Sequence, residues 1–146
     1  MLHTTDLHGH FLPAYDYEGH DEVGGLLRCA TLIEKIKARE KNVLLVDCGD
    51  LIQGGAESYN TQGRVMIKAL EWLGYDAWVL ENHEFDWGLD KLAKLHDLTT
   101  LNMLGANIKT SSRKQHPLNK NKPYIMKDID GVRVALVGLT TPGIPS

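Results

Sequence analysis

Long apolar runs are missing from this sequence: no stretch of about 18 apolar residues occurs, so no membrane-crossing helix is expected. Cysteine is scarce. Cys29 and Cys48 have no C-x-x-C spacing, which excludes a thiolate zinc site and a disulfide framework. Both lie in apolar stretches and read as small core residues. An excess of positive charge is also lacking: 16 basic residues face 19 acidic ones, for a net charge of -3. That balance excludes a polyanion binder with a broad basic surface, so no nucleic-acid polymer is expected as a partner. A small phosphate ester stays open, because a metal ion can supply the local positive charge. No charged-then-apolar leader opens the chain, so no signal peptide is expected within it. The 146 residues suffice for one domain around one core, and the 42% apolar content is enough to fill it.

What is present is a repeated grammar of apolar run, polar loop and helical pattern. The first run, truncated at 1–3, leads into Thr4-Thr5-Asp6 and a long loop rich in Gly, His and Asp. Leu26, Leu27, Ala30, Ile33 and Ile36 then recur at helical spacing up to about Arg39. The second run, 43–46, is apolar at every position, as suits a strand buried on both faces. It opens into Asp47-Cys48-Gly49-Asp50, a loop to about Asn60 and a helix over 62–73, with Gly74 as the stop. The third run, 77–80, opens into Glu81-Asn82-His83-Glu84-Phe85-Asp86 and a helix over about 89–98. A fourth strand is predicted over 102–106, a surface loop over 109–122, and a hairpin of 124–129 and 132–137 around Asp130-Gly131. Repeated strand-loop-helix units imply a layered α/β fold with parallel strands, whose ligands collect at the strands' carboxyl ends.

That rule singles out three loops, beginning at Asp6, Asp47 and Glu81, and metal-capable side chains are concentrated there. The first holds Asp6 and His8, two apart just past a strand. The second holds Gly49-Asp50, and the third holds Asn82-His83 followed by Asp86. Mixed carboxylate, imidazole and amide donors suit Zn, Mn, Fe or Mg better than a structural thiolate zinc. Each piece alone also reads as a solvated turn or a helix cap; the three in order, each directly after a strand, are much more specific.

Asp6-Leu7-His8-Gly9-His10, Gly49-Asp50-Leu51-Ile52-Gln53-Gly54 and Asn82-His83-Glu84-Phe85-Asp86 resemble the first three blocks of the calcineurin-like metallophosphoesterases. The G-D-x-x-Q-G form and the Phe-Asp after Asn-His-Glu are similar to the 5'-nucleotidase, UDP-sugar hydrolase and 2',3'-cyclic nucleotide phosphodiesterase branch, as is Gly138-Leu139-Thr140-Thr141. The resemblance implies a layered metallophosphoesterase-type α/β sandwich. Residues 1–146 would be its incomplete N-terminal half, a mostly parallel sheet flanked by helices plus a C-terminal hairpin. It implies a metal-dependent phosphoric ester hydrolase acting on nucleotides, in which a metal-activated hydroxide attacks phosphorus. Two divalent ions are implied: Asp6 and His8 on the first, Asp50 bridging both, Asn82 on the second. His83 would face the substrate phosphate, with Asp86 orienting its ring. A periplasmic or extracellular location is implied as well.

Other polar residues carry blander expectations. His10 reads as surface or a support to the site, His3 as core or a support, and His20, His96 and His116 as solvent-facing. Gln53 and Asn107 read as holding loop backbone, and Trp72 and Trp78 as core. The sequence departs from the family pattern twice. Glu81 stands where the family usually has Gly, and three readings stay open: pointing outward, an extra ligand, or reduced activity. The later Gly-His blocks of the family are not found after Asn82. The alternative to a hydrolase is therefore a catalytically incomplete metal-binding or scaffold domain needing a partner or a missing C-terminal part. A truncated sheet with apolar edges would also favour self-association.

Overall fold

The structure is a computed structural model that describes residues 1–109, 118 and 121–142. Four short strands, β1 (Leu2–Thr4), β2 (Leu45–Asp47), β3 (Ala77–Val79) and β4 (Asn102–Leu104), form one parallel sheet in the order β1-β2-β3-β4. Val46 pairs with both His3 and Ala77, and Trp78 with Met103. Because each strand is added on the same side of the last, right-handed crossovers send every connecting helix to the same face. Those helices are α1 (Leu26–Arg39), α2 (Ala56–Thr61), α3 (Arg64–Leu73) and α4 (Leu89–Asp97).

The core on that face joins Leu26, Ala30 and Ile33 of α1, Met66, Ile67 and Leu70 of α3, and Leu92 and Leu95 of α4 to Leu45, Trp78 and Met103 of the sheet. Leu44, Val46, Ala77 and Leu104 face the other way and are covered by Ile125, Ile129, Val134 and Leu136. These come from the antiparallel hairpin of β5 (Tyr124–Ile129) and β6 (Val132–Val137). The hairpin turn was legible in the sequence, and Asp130 and Gly131 both take positive φ, at 56° and 85°, as a two-residue primed turn requires. The helices, the sheet and the hairpin thus form three layers: the parallel sheet, its helices and the hairpin match the sequence reading, which did not place the hairpin over the sheet's second face.

Some local expectations fail. The loop drawn from Asp50 to Asn60 contains α2, and its chain turns left-handed at Gln62 and Gly63 before α3 begins. Trp72, expected in the core, is 73% exposed, because α3 buries the stripe Met66, Ile67, Leu70 and Leu73 and turns Trp72 away. Cys48, also expected in the core, is exposed: it lies just past the end of β2, beyond the covering helices. His3 is exposed too; it alternates with Leu2 and Thr4 on the edge strand β1 and points away from the helical core. His96 is half-buried rather than solvent-facing, and His116 falls outside the described residues. Trp78 is fully buried, Cys29 packs partly against the core, and His10 and His20 are exposed, as expected.

Candidate metal and phosphate centre

The three loops converge because the sheet's pairing continues past the strand ends. The Asp6 N–H donates to Gly49 O at 3.0 Å, the His8 N–H to Asp50 O at 2.8 Å and the Gly9 N–H to Leu51 O at 2.9 Å. The Gly55 N–H returns to His8 O at 2.7 Å. This contact explains the glycine at 54: a Cβ there would lie 2.2 Å from His8 O, at a φ of 130°. Asp6, His8 and Asp50 are held with φ between 45° and 53°, a left-handed conformation that costs non-glycine residues about 1–3 kcal/mol each. Glu22, Gln62 and Asp130 share the conformation elsewhere; at Asp6, His8 and Asp50 the backbone bonds between the two facing loops hold it in place.

The third loop is anchored by a residue that sequence reasoning passed over. Glu84 lies in the 3-10 turn Asn82–Phe85 and is 1% exposed. Its carboxylate accepts the N–H groups of Asp50 (2.9 Å), Leu51 (2.7 Å) and Glu81 (2.8 Å), tying the second loop to the third. Burial pushes its carboxyl up, and the three N–H donors pull it back. The turn also directs the His83 N–H onto Asp50 Oδ1 at 3.1 Å. The motif signal was the acid after Asn-His, but only the fold shows that it points inward.

The result is one tight group. His8, Asp50 and His83 each offer a ligand atom, and those atoms lie within 4.8 Å of one another. The His8 and His83 rings meet edge-on with centroids 5.1 Å apart. Asp6 sits beside the group, its Oδ1 3.9 Å from His8 Nε2, and is more exposed than the rest. Asn82 opens the turn directly before His83. Gln53 supports the first loop: its carbonyl and amide oxygens both lie 3.3 Å from His8 Nδ1. The Nδ1 of His83 is bonded to Asp86 Oδ2 at 2.7 Å, which leaves Nε2 as its free nitrogen. That hydrogen bond to a carboxylate, more than any other influence, holds the His83 ring's pKa above the ordinary imidazole value. His8 and the buried Asp50 carboxylate, with Asp6 and Asn82 beside them, offer the mixed imidazole, carboxylate and amide donors that suit a divalent cation of the Zn, Mn, Fe or Mg class.

Residues 1–130 match the Calcineurin-like phosphoesterase family. The chain belongs to that family. Relatives of this phosphoesterase chain include a 5'-nucleotidase of Vibrio parahaemolyticus, 38% identical over 148 residues, which span 97% of the chain and 24% of that protein. The protein UshA of Yersinia enterocolitica is 36% identical over 145 residues, 97% of the chain and 25% of that protein. In three dimensions this chain is similar to a 5'-nucleotidase precursor from Thermus thermophilus, with a TM-score of 0.84 and 34% identity over 97% of this chain and 28% of the other. The chain therefore spans about a quarter of the length of the curated relatives it matches. Membership of the phosphoesterase family implies divalent metal ions, which agrees with the donor set.

Beneath the phosphoesterase loops lies a second buried acid. Asp47, fully buried at the end of β2, accepts from Thr4 Oγ1 at 2.6 Å and from the Gly49 N–H at 3.1 Å, and the Tyr75 hydroxyl lies 3.0 Å from the same Thr4 oxygen. Burial pushes the Asp47 carboxyl up to about 7, above its ordinary 3.8. A raised carboxyl binds its proton more tightly folded than unfolded, so stability falls as pH rises from about 4 to about 7 and the loss is complete above that. Asp47→Asn keeps the shape, the acceptor for Gly49 and a partner for Thr4, without the charge. In the presence of a chelator it is expected to match the wild type near pH 4 and to be more stable above pH 7, by on the order of 4 kcal/mol. Thermal melts across that range check it; a constant offset between the two proteins would refute the assignment.

Proposed function

We propose that this chain is the N-terminal portion of one metallophosphoesterase catalytic domain, in a metal-dependent phosphoric ester hydrolase that acts on nucleotides. The convergence of His8, Asp50 and His83 within 4.8 Å, at the carboxyl ends of parallel strands, carries the reading. The 5'-nucleotidase relatives support a small nucleotide as the substrate. Among the described residues no helix is long and apolar enough to cross a membrane. The periplasmic or extracellular setting implied by the resemblance belongs to the same proposal.

In this reading Asp6, His8, Asp50 and Asn82 would hold two divalent ions of the Zn, Mn, Fe or Mg class. When bound, such ions supply Lewis acidity toward a phosphoryl oxygen and make a water molecule more acidic. The remaining work falls to the chain's own groups. His83 aims Nε2 at the phosphate. Asp86 accepts from Nδ1, fixes the ring and favours its doubly protonated form, so that Nε2 carries a proton. That proton can stabilise charge gathering on the phosphoryl oxygens or pass to the leaving oxygen. Asp50 steadies the arrangement by holding the backbone N–H of His83 itself.

The test is phosphate release from a nucleoside 5'-monophosphate by the whole gene product, stripped with chelator and resupplied with Mn or Zn. Metal-dependent release is expected, and its absence with every metal of the class overturns the reading. His83→Ala is expected to lower kcat by roughly a hundredfold while bound metal is unchanged. Activity that survives this substitution removes His83 from the mechanism.

A further inference from the structure

Glu81, the residue that departs from the family pattern, does not face the metal-capable group. Its backbone is extended, with φ −111° and ψ −170°, so nothing in its own conformation calls for glycine. The space beside it is won by the opposite residue: a Cβ on Gly49, at φ 107°, would lie 2.5 Å from the Glu81 Cβ. The half-buried carboxylate turns to the far side of the loop. There its two oxygens lie 3.3 and 3.2 Å from the Thr141 backbone N, whose N–H they accept, and it also accepts the Glu84 N–H.

Thr141 belongs to the segment that leaves β6. The segment is stitched down upstream as well: the Ala106 N–H donates to Gly138 O at 2.7 Å, Asn107 Nδ2 donates to Thr140 O at 2.7 Å, and the Thr140 N–H donates to Asn107 Oδ1 at 3.0 Å. Those bonds reach only the end of β4. Glu81 is the side chain that carries the tether across to the loop of Asn82 and His83. Its neighbour Glu84 accepts the Glu81 N–H in return, so any shift at residue 81 is passed directly to the turn that orients His83.

We propose that Glu81 is a positioning residue, a latch whose carboxylate fastens the segment after β6 to the loop bearing Asn82 and His83. It replaces two of the three readings left open by the sequence: Glu81 is neither an outward-pointing charge nor a metal ligand, but a cross-loop tie. Its effect on catalysis rests on the function proposed above; the tie itself does not.

The experiment compares Glu81→Ala, Glu81→Gln and Glu81→Gly in the whole gene product. Hydrogen–deuterium exchange of the peptide spanning 138–142 is expected to speed up roughly tenfold at Thr141 in Glu81→Ala, which removes the acceptor. Glu81→Gln, which keeps an acceptor oxygen, is expected to restore most of the protection. Bound metal is expected to stay at the wild-type level in all three. With a nucleoside monophosphate, kcat is expected to fall about fivefold in Glu81→Ala while KM holds, because the His83 loop is misplaced rather than removed. Should Glu81→Ala fold poorly, Glu81→Gly carries the same comparison with the residue the family usually has there. Unchanged exchange at Thr141 in the Ala or Gly variant overturns the latch. So does metal loss of the size seen when Asp50 is replaced, which would make Glu81 a ligand. If the wild type releases no phosphate, the proposed function fails while exchange and metal content still decide the latch.

Discussion

Asp50→Ala is expected to lose the bound divalent metal and to lower phosphate release by on the order of a thousandfold. Two losses combine. The first is a buried negative charge: Asp50 is 7% exposed, and its carboxylate lies within 4.8 Å of the donor atoms of His8 and His83. Without it, His8 and the exposed Asp6 carboxylate remain, with no buried anion to offset a cation's desolvation. The second is a positioning bond, since the His83 N–H loses the Oδ1 acceptor that orients the following ring. Asp50→Asn separates them, because an amide oxygen still accepts the N–H but carries no charge. It is expected to keep the His83–Asp86 geometry and the melting temperature while still losing metal. Elemental analysis of the purified protein and a phosphate-release assay check both. Metal content unchanged in Asp50→Ala would remove Asp50 from the proposed metal site.

Glu84→Ala is expected to be the most destabilising single substitution at the site, by about 3–5 kcal/mol. No solvent reaches Glu84, and its loss leaves the N–H groups of Asp50, Leu51 and Glu81 without an acceptor at once. Glu84→Gln does not rescue it. One carboxylate oxygen serves two N–H donors and the other serves one, so an amide nitrogen at either position meets a donor face to face. Its cost is expected to be smaller, about 2 kcal/mol. Denaturant melts of the two variants give the ranking, and equal stability of Glu84→Ala and the wild type would contradict the buried-anchor role. Activity should fall with stability in both, since the anchor sets where Asp50 and His83 stand.

The difference between these two residues shows what the sequence made legible. Asp6, His8, Asp50, Asn82 and His83 stood out because each follows an apolar run, and strand ends are where an α/β fold gathers its ligands. The structure brings His8, Asp50 and His83 into one group, sets Asp6 at its exposed flank and places Asn82 at the head of the adjoining turn. Glu84 lay within the same motif yet was passed over, because its importance comes from three N–H donors on two separate loops. Asp47 was hidden for the same reason: its partner Thr4 is 43 positions away, and Tyr75, which meets the same Thr4 hydroxyl, comes from a third part of the chain. Trp72 was misjudged by residue type when the spacing of Met66, Ile67, Leu70 and Leu73 already excluded it from the buried face. Cys48 was misjudged because an apolar run says nothing about where the covering helices stop.

By itself, the order of residues determined the building units: apolar runs of strand length, helices with one apolar stripe, an Asp-Gly turn and three polar loops at strand ends. These follow from local propensity and periodicity, which act over a few residues. The tertiary structure decided what the units do together. Adding each parallel strand on the same side of the last sent all the helices to one face and left the other to the hairpin. It also decided where Glu81 and Glu84 point. A carboxylate in a loop has no preferred partner until the backbone donors that need it are brought within reach, and here those donors arrive from other strands.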